Sequence, residues 1–466
     1  MALGIDVTGT ITGKLDSTRL VELLNQAWPH TEHFGEIVAD PQPPNQEDPA
    51  GAERIDVRLH PTAESVSFIV LPKKGLLGKR QLRVEARTSQ VGPGYHAALV
   101  DMLKSLSAHG IAWPTSGVEG VDDTNYWATS DFAALSREMT THVQALMRTV
   151  LAHYGQATEG MAIWMQLDAT PASAGPSDAI RTPLGPKDLD WVRRAAADPA
   201  VAGELVIWLE QGLSARTLLQ TALALMWERC PWAPPGSEQD GLAVMYAMAC
   251  LNAARAADPT LAWPAWPMAE WHELREHYRK VGGDPDEFGP APDAPVGHQP
   301  RPAIGYRRGL LRFSFGPDIS LVAPGSMSRQ PDETDETVLL ADRGRTLRLS
   351  MFGLAPKPGS PPGARAAMAR EVLTGGMEDQ PEAIAAIRTS ENNGHTRVWT
   401  SWQYAEEHED YTVQLAATKA VISAGNLMAM VSCTNDLDGP YAFGPDVSWA
   451  EAVVRSITIT ADRPSA

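Results

Sequence analysis

The chain of 466 residues is too long for one ordinary core, and an apolar fraction of 43% is globular, so two or three folded domains are expected. Its 57 acidic against 39 basic residues give a formal net charge of −18. That balance argues against sequence-independent nucleic-acid binding, which needs clustered Lys and Arg against phosphate; it suits simple solubility or a basic protein partner whose approach it would accelerate.

The N-terminal MALGIDVTGTITGKLD has no positive stretch followed by an apolar one, and no run of about 18 apolar residues occurs, which predicts a cytoplasmic protein outside the membrane. Residues 1–110 read as α+β. A strand TGTITG precedes a helix opening at Asp16-Ser17, where either side chain can cap free amides. A proline-rich loop follows, then strands at Ile55–Leu59, Val66–Val70 and Gln81–Arg87. A helix near Tyr95 sets Leu99, Met102, Leu103 and Leu106 on one face. Residues 111–281 read as mainly helical. Phe132, Leu135, Met139, Leu146 and Val150 form one stripe, and residues 203–229 and 237–257 are two very apolar helices central to a bundle. Trp191, Trp208, Trp227, Trp232, Trp263, Trp266 and Trp271 are expected to fill the core between them.

Residues 282–302, rich in Gly, Pro and Asp, sustain neither helix nor central strand and read as a linker. Residues 303–466 form the next domain. Leu311, Phe313 and Phe315 alternate, as do Leu347, Leu349 and Met351, and Tyr411, Val413, Leu415 and Ala417. One face buried and one wet predicts an antiparallel sheet, backed by helices at 362–374 and 447–455. The expected fold class is therefore α+β throughout: an α+β region, a helical bundle, then a separate antiparallel sheet with helices.

The chemistry-bearing patterns are sparse. Gly92-Pro-Gly94-Tyr95-His96-Ala97 matches G-x-G-x-x-A, but no βαβ unit surrounds it and no acidic residue ends a following strand, so a tight turn opening a helix is the better reading. Tyr95 and His96 at that helix start are a possible ligand site, and the helix dipole there disfavours a charged imidazole. His272 and His277 are five apart, about 140° around a helix, and cannot share one metal ion without distortion. His30, Glu32 and His33 lack a fourth ligand. Adjacent Asp122 and Asp123 suit a helix cap better than acid–base work. Cys230, Cys250 and Cys433 offer no C-x-x-C spacing, and no nucleophile elbow or P-loop occurs, so no metal and no cofactor is expected. Glu406, Glu407, Glu409 and Asp410 form an acidic run between two strands, either a solvated hairpin tip or a docking point for a basic partner.

The order DISLVAPGSMSRQ, TLRLSMF, helix, TRVWTSWQY, YTVQLAAT, AGNLMAMVSCTND and WAEAVVRSI resembles the PsbP/DcrB-like fold, over roughly a third of the chain. That superfamily includes bacterial domains of unknown function and chaperones of Rhs-type secreted effectors. The resemblance implies an accessory or protein-binding role and carries no catalytic residues. The expected function is that of a non-catalytic, intracellular protein-binding protein, an immunity or adaptor partner of a secreted bacterial toxin. The alternatives are an enzyme of unrecognised family with its site near Tyr95 and His96, or a structural assembly component.

Overall fold

Strict alternation builds the first sheet. In β1 (Gly4–Ile11) Ile5, Val7 and Ile11 are buried while Asp6 faces out, and Leu82, Val84 and Ala86 do the same against Arg83, Glu85 and Arg87 further on. The computed structural model describes residues 3–13, 15–42, 48–73, 79–114, 122–154, 161–163, 169–172, 179–261, 266–289, 304–316, 318–330, 337–353, 363–375, 377, 380–407, 411–425, 427–438 and 441–460. After β1 come α1 (Ser17–Ala27), α2 (Thr31–Phe34), β2 (Ala39–Gln42), β3 (Glu53–Val57), β4 (Val66–Leu71), β5 (Gln81–Arg87), α3 (Pro93–Ser105) and β6 (Ile111–Ala112). The strands form one antiparallel sheet in the order β2-β3-β4-β5-β1-β6. Asp16 caps α1, its carboxylate accepting from Arg19 N at 2.8 Å, as its sequence predicts. Leu99, Met102 and Leu103 are buried on the inner side of α3, as is Leu106 in the 3-10 turn that follows it. The region expected as one loop after α1 holds both α2 and β2.

The middle of the chain carries α4 (Tyr126–Thr129), α5 (Phe132–Tyr154), β7 (Met161–Ala162), β8 (Ala169–Pro171), β9 (Ile180–Thr182), β10 (Gly185–Lys187), α6 (Leu189–Ala197), α7 (Pro199–Gly203), α8 (Ala215–Glu228), α9 (Glu238–Ala257) and α10 (Met268–Lys280). Two expectations are corrected. Leu146 is 37% exposed, and Val143 and Met147 take its place in the stripe. The reason is a change of neighbour along α5: Leu135 and Met139 pack into the main core, whereas Val143, Met147 and Val150 pack against α6 and α7. The helix expected over 203–229 is broken. Gly212 has φ +90° and Ser214 opens α8, its hydroxyl accepting from Thr217 N, so the segment before it is free to run past α3. Trp208, Trp227 and Trp271 are fully enclosed, Trp191 and Trp232 nearly so, and Trp266 half-buried. Trp263 lies outside the described residues.

The last third carries β11 (Leu310–Phe315), β12 (Ile319–Pro324), β13 (Ser328–Gln330), β14 (Thr337–Asp342), β15 (Arg345–Gly353), α11 (Ala364–Thr374), α12 (Pro381–Ala385), β16 (Arg388–Asn392), β17 (His395–Glu407), β18 (Thr412–Ala424), β19 (Leu427–Asp436), α13 (Ser448–Ser456) and β20 (Thr458–Ile459). Seven of these strands form an antiparallel sheet, β13-β14-β15-β19-β18-β17-β16. On one face α11 and α12 cover Val398, Val421 and Met428; on the other, Trp399, Ile422, Val431 and Cys433 join the main core with Val453 and Val454 of α13. The fold is α+β, and among the described residues no sheet closes into a barrel.

The segment 282–302 is described only to Gly289. The parts on either side of it share a sheet and a core. β8 pairs with β11 in a second sheet, β20-β12-β11-β8, and one hydrophobic cluster runs from β1 through α8 and α9 to β19. The joint has a polar staple. Arg307, 4% exposed, reaches Asp240 of α9 at 3.1 Å and donates to the carbonyls of Gly325 (2.8 Å), Ser326 (3.1 Å) and Arg229. Arg308 lies 3.5 Å over the ring of Trp232.

Candidate functional site

The turn that opens α3 is built for packing. A Cβ on Gly92 would sit 2.5 Å from Val206 Cγ1, and one on Gly94 would sit 2.0 Å from Trp208 Cδ1. Gly92, at φ +127°, adopts a backbone that L side chains rarely take. The two glycines admit the 206–210 segment, whose Trp208 carbonyl accepts from Gly94 N at 3.0 Å while Trp208 N donates to Val91 O at 2.8 Å. The helix N-terminus that the G-x-G-x-x-A pattern offers to an anion is thus occupied by the chain's own carbonyl.

Tyr95 and His96 follow, and both are 0% exposed. They enter different surroundings. Tyr95 packs among Trp28, His60 and Trp208, with ring centroids 5.9–6.4 Å away, and its hydroxyl has no hydrogen-bond partner among the described residues. Burial pushes that phenol well above its usual range. His96 sits between Thr88, whose hydroxyl is 2.8 Å from Nδ1, and Asp122, whose Oδ2 is 3.3 Å from Nε2. Burial alone would raise the Asp122 carboxyl, but hydrogen bonds from His96 and Thr124 hold it down at about 2. Asp122 also accepts from Trp127 N at 2.7 Å, and Asp123 accepts from Gly4 N at 2.9 Å. The pair therefore clips the 122–127 turn to β1, which is a structural use of both carboxylates. A cleft of about 380 Å³ opens on another side of α3, between Ala98, Asp101, His30 and Gln211. Burial, with a contribution from His33, lowers the His30 imidazole to about 4.

Among the described residues no group of three or more His, Cys, Asp or Glu is arranged to hold a metal ion. His33 pairs with Glu32 at 3.2 Å, and His277 pairs with Glu273 at 3.5 Å, which in turn binds Arg308 at 2.8 Å. The three cysteines are free and buried.

The described part of the acidic run, Glu406 and Glu407, lies at the end of a projecting ribbon. β17 and β18 pair over Thr396↔Ser423 to Glu407↔Thr412, whereas β19 follows β18 only as far as Leu415↔Asp436. Leu437 N still donates to Gln414 O at 2.9 Å, so only the rungs Glu406↔Val413 and Glu407↔Thr412 are two strands wide. Glu406 and Glu407 are exposed at the end of β17, on opposite faces of the ribbon; Glu409 and Asp410 lie outside the described residues. Tyr411, expected on a buried strand face with Val413 and Leu415, precedes β18 and is 61% exposed, because the ribbon has left the core by that point. Trp402 and Tyr404 share the Glu406 face, with ring centroids 6.2 Å apart, and both are half-buried. Burial and then Glu406 raise the Tyr404 phenol, and Arg348 opposes them. Sequence reasoning passed over Trp402 and Tyr404, although their alternation with the two glutamates is visible in WTSWQYAEE.

A second polar surface covers the outer face of the first sheet, a cleft of about 510 Å³ lined by Asp6, Arg54, Asp56, Glu64, Glu85 and Arg87 among others. Its charges compensate one another: Arg54 pairs with Asp56 at 3.2 Å and Arg87 with Glu64 at 3.7 Å. Beside it, Arg83 pairs with both Asp6 and Glu85 at 2.8 Å.

No family model matches the chain, and no curated protein does. Among solved structures, a crystal structure from Bacteroides thetaiotaomicron VPI-5482 is similar at a TM-score of 0.24 and 13% identity, over 33% of this chain and 50% of that one. The match takes in half of that chain's length, and at that score it carries no argument. No helix among the described residues is long and apolar enough to cross a membrane.

Proposed function

We propose that this is a non-catalytic, intracellular protein-binding protein that engages a basic partner, as an immunity or adaptor partner of a secreted bacterial toxin. One observation carries the reading: the β17–β18 ribbon holds Glu406 and Glu407 clear of the seven-stranded sheet, beside Trp402 and Tyr404. Acidic groups on a projecting element steer a basic partner, and half-buried aromatic rings next to them supply the packing that steering alone lacks. The net charge of −18 acts in the same direction. A PsbP/DcrB-like identity for residues 303–466 belongs to the same proposal.

The test is to isolate the tagged full chain gently from a bacterial host, measure native mass, and repeat with Glu406→Lys and Glu407→Lys together. A stoichiometric companion with a basic domain is expected, with affinity at least tenfold weaker in the double variant and with loss of protection in cells expressing that companion. A companion bound equally well by both proteins would remove the ribbon from the function. A turnover abolished by His96→Ala, with the melting temperature kept, would replace the reading by an enzymatic one.

A further inference from the structure

We infer that the partner is taken by strand addition: a basic, extended segment of another protein pairs with the open edge of β17 from Ser401 to Glu407. This rests on the protein-binding reading above and supplies its mode and chemistry. Asn393 and Gly394, with φ of 51° and 75°, form the two-residue turn that joins β16 to β17. In a turn of that kind the closing pair, here Asn392 and His395, exchanges both backbone hydrogen bonds. His395, Arg397 and Trp399 therefore direct N–H and C=O toward β16. The register runs on to Glu407 without a bulge, so Ser401, Gln403, Ala405 and Glu407 direct theirs to the same side. β16 ends opposite Trp399, at Arg388, and among the described residues no strand lies beside β17 beyond that point. Thr400 donates its hydroxyl to Ala383 O at 2.5 Å, so α12 covers one face of β17 at that height and not its edge, and Gln403, Ala405, Glu406 and Glu407 are exposed beyond it.

The open stretch spans about 20 Å, room for a strand of about seven residues. Unpaired edges invite pairing, and acidic side chains on them select what pairs. An incoming strand places its side chains beside Glu407 on one face and beside Glu406, Tyr404 and Trp402 on the other. Lys or Arg at alternate positions meets a carboxylate at the tip, while its aliphatic stem lies over the aromatic pair. A second copy of this chain brings the same acids and the same net charge of −18, which disfavours it as the occupant.

The experiment uses the full chain and three fluorescein-labelled octapeptides at physiological salt, read by anisotropy: KVKVTVKV, the acidic EVEVTVEV, and KPKPTPKP, which keeps the charge but cannot pair as a strand. Saturable binding of the first is expected, at least tenfold tighter than either other. Gln403→Pro and Ala405→Pro each remove one outward N–H and leave the β18 ladder intact, so both are expected to weaken KVKVTVKV at least tenfold. Hydrogen exchange checks the mode without any substitution: bound peptide slows the amides of Ser401, Gln403 and Ala405 and leaves those of Trp402 and Tyr404, already paired to β18, unchanged. Equal binding of KPKPTPKP, or no added protection of those three amides, overturns strand addition. If Glu406→Lys with Glu407→Lys still abolishes binding in that case, the protein-binding reading stands on charge alone. If no basic peptide binds and a native partner ignores the charge reversal, both readings fall.

Discussion

Removing the charge of Asp240 should loosen the joint between the two halves of the chain. Arg307 and Asp240 are each 4% exposed and 3.1 Å apart. At an effective dielectric of about 20 their attraction is about 5 kcal/mol before desolvation is counted. Asp240→Asn keeps the side-chain shape and leaves the guanidinium with only neutral acceptors, among them the Gly325 and Ser326 carbonyls at 2.8 and 3.1 Å. Breaking one partner of such a pair costs about 3–5 kcal/mol, and those carbonyls place this case near 3. Arg307→Met should cost about as much, since it strands a carboxylate that keeps hydrogen bonds from Ser237 and Ser328. The double variant should cost no more than one single, because neither charge is then left alone. Urea unfolding followed by tryptophan fluorescence and far-UV circular dichroism measures all three. Single costs below about 1 kcal/mol, or a double variant equal to the sum of the singles, would refute the staple.

Glu228, at the end of α8, is buried, and burial raises its carboxyl from 4.5 to about 8, against the pull of Arg229. Its folded pKa lies above the unfolded one, so its contribution is complete below pH 4.5 and is lost as pH rises to 8. Glu228→Gln should therefore lessen the fall in stability by about 1.4 kcal/mol per pH unit between pH 5 and 8. Parallel urea midpoints for the two proteins across that window would contradict this. Gly94→Ala puts a Cβ 2.0 Å from Trp208 Cδ1 and 2.3 Å from Glu210 O. A cost of about 3 kcal/mol with a shifted tryptophan emission is expected, and unchanged emission would show that the 206–210 segment yields freely.

Much of the local structure was legible because short-range rules decide it. The Asp16 cap, the α3 core face and the span of α9 follow from residues within a turn or two of one another. The helix expected over 203–229 failed for a reason outside that range. Its apolar residues continue the pattern, but Trp208 is drawn away to accept from Gly94, more than a hundred positions earlier. Leu146 failed similarly, since only the packing of α6 and α7 decides which flank of the α5 stripe is covered. Three-residue β8 carries no signal that it will join β11. The acidic run was visible, but the open edge beside it was not, because an edge is a property of strand order.

That distinction bears on function. Charge and composition are read from the sequence and favour a basic partner of any shape. The edge adds a geometric demand, since only an extended backbone with free N–H and C=O groups can meet Ser401, Gln403 and Ala405 together. Behind that edge β17 is paired to β18 over twelve consecutive rungs, and Trp399, only 7% exposed, anchors its base in the main core. A partner strand would then meet an edge already ordered, and most of the ordering cost would fall on the incoming segment. Binding should accordingly depend more on residues that pre-extend the partner, β-branched ones between its basic residues, than on further positive charge.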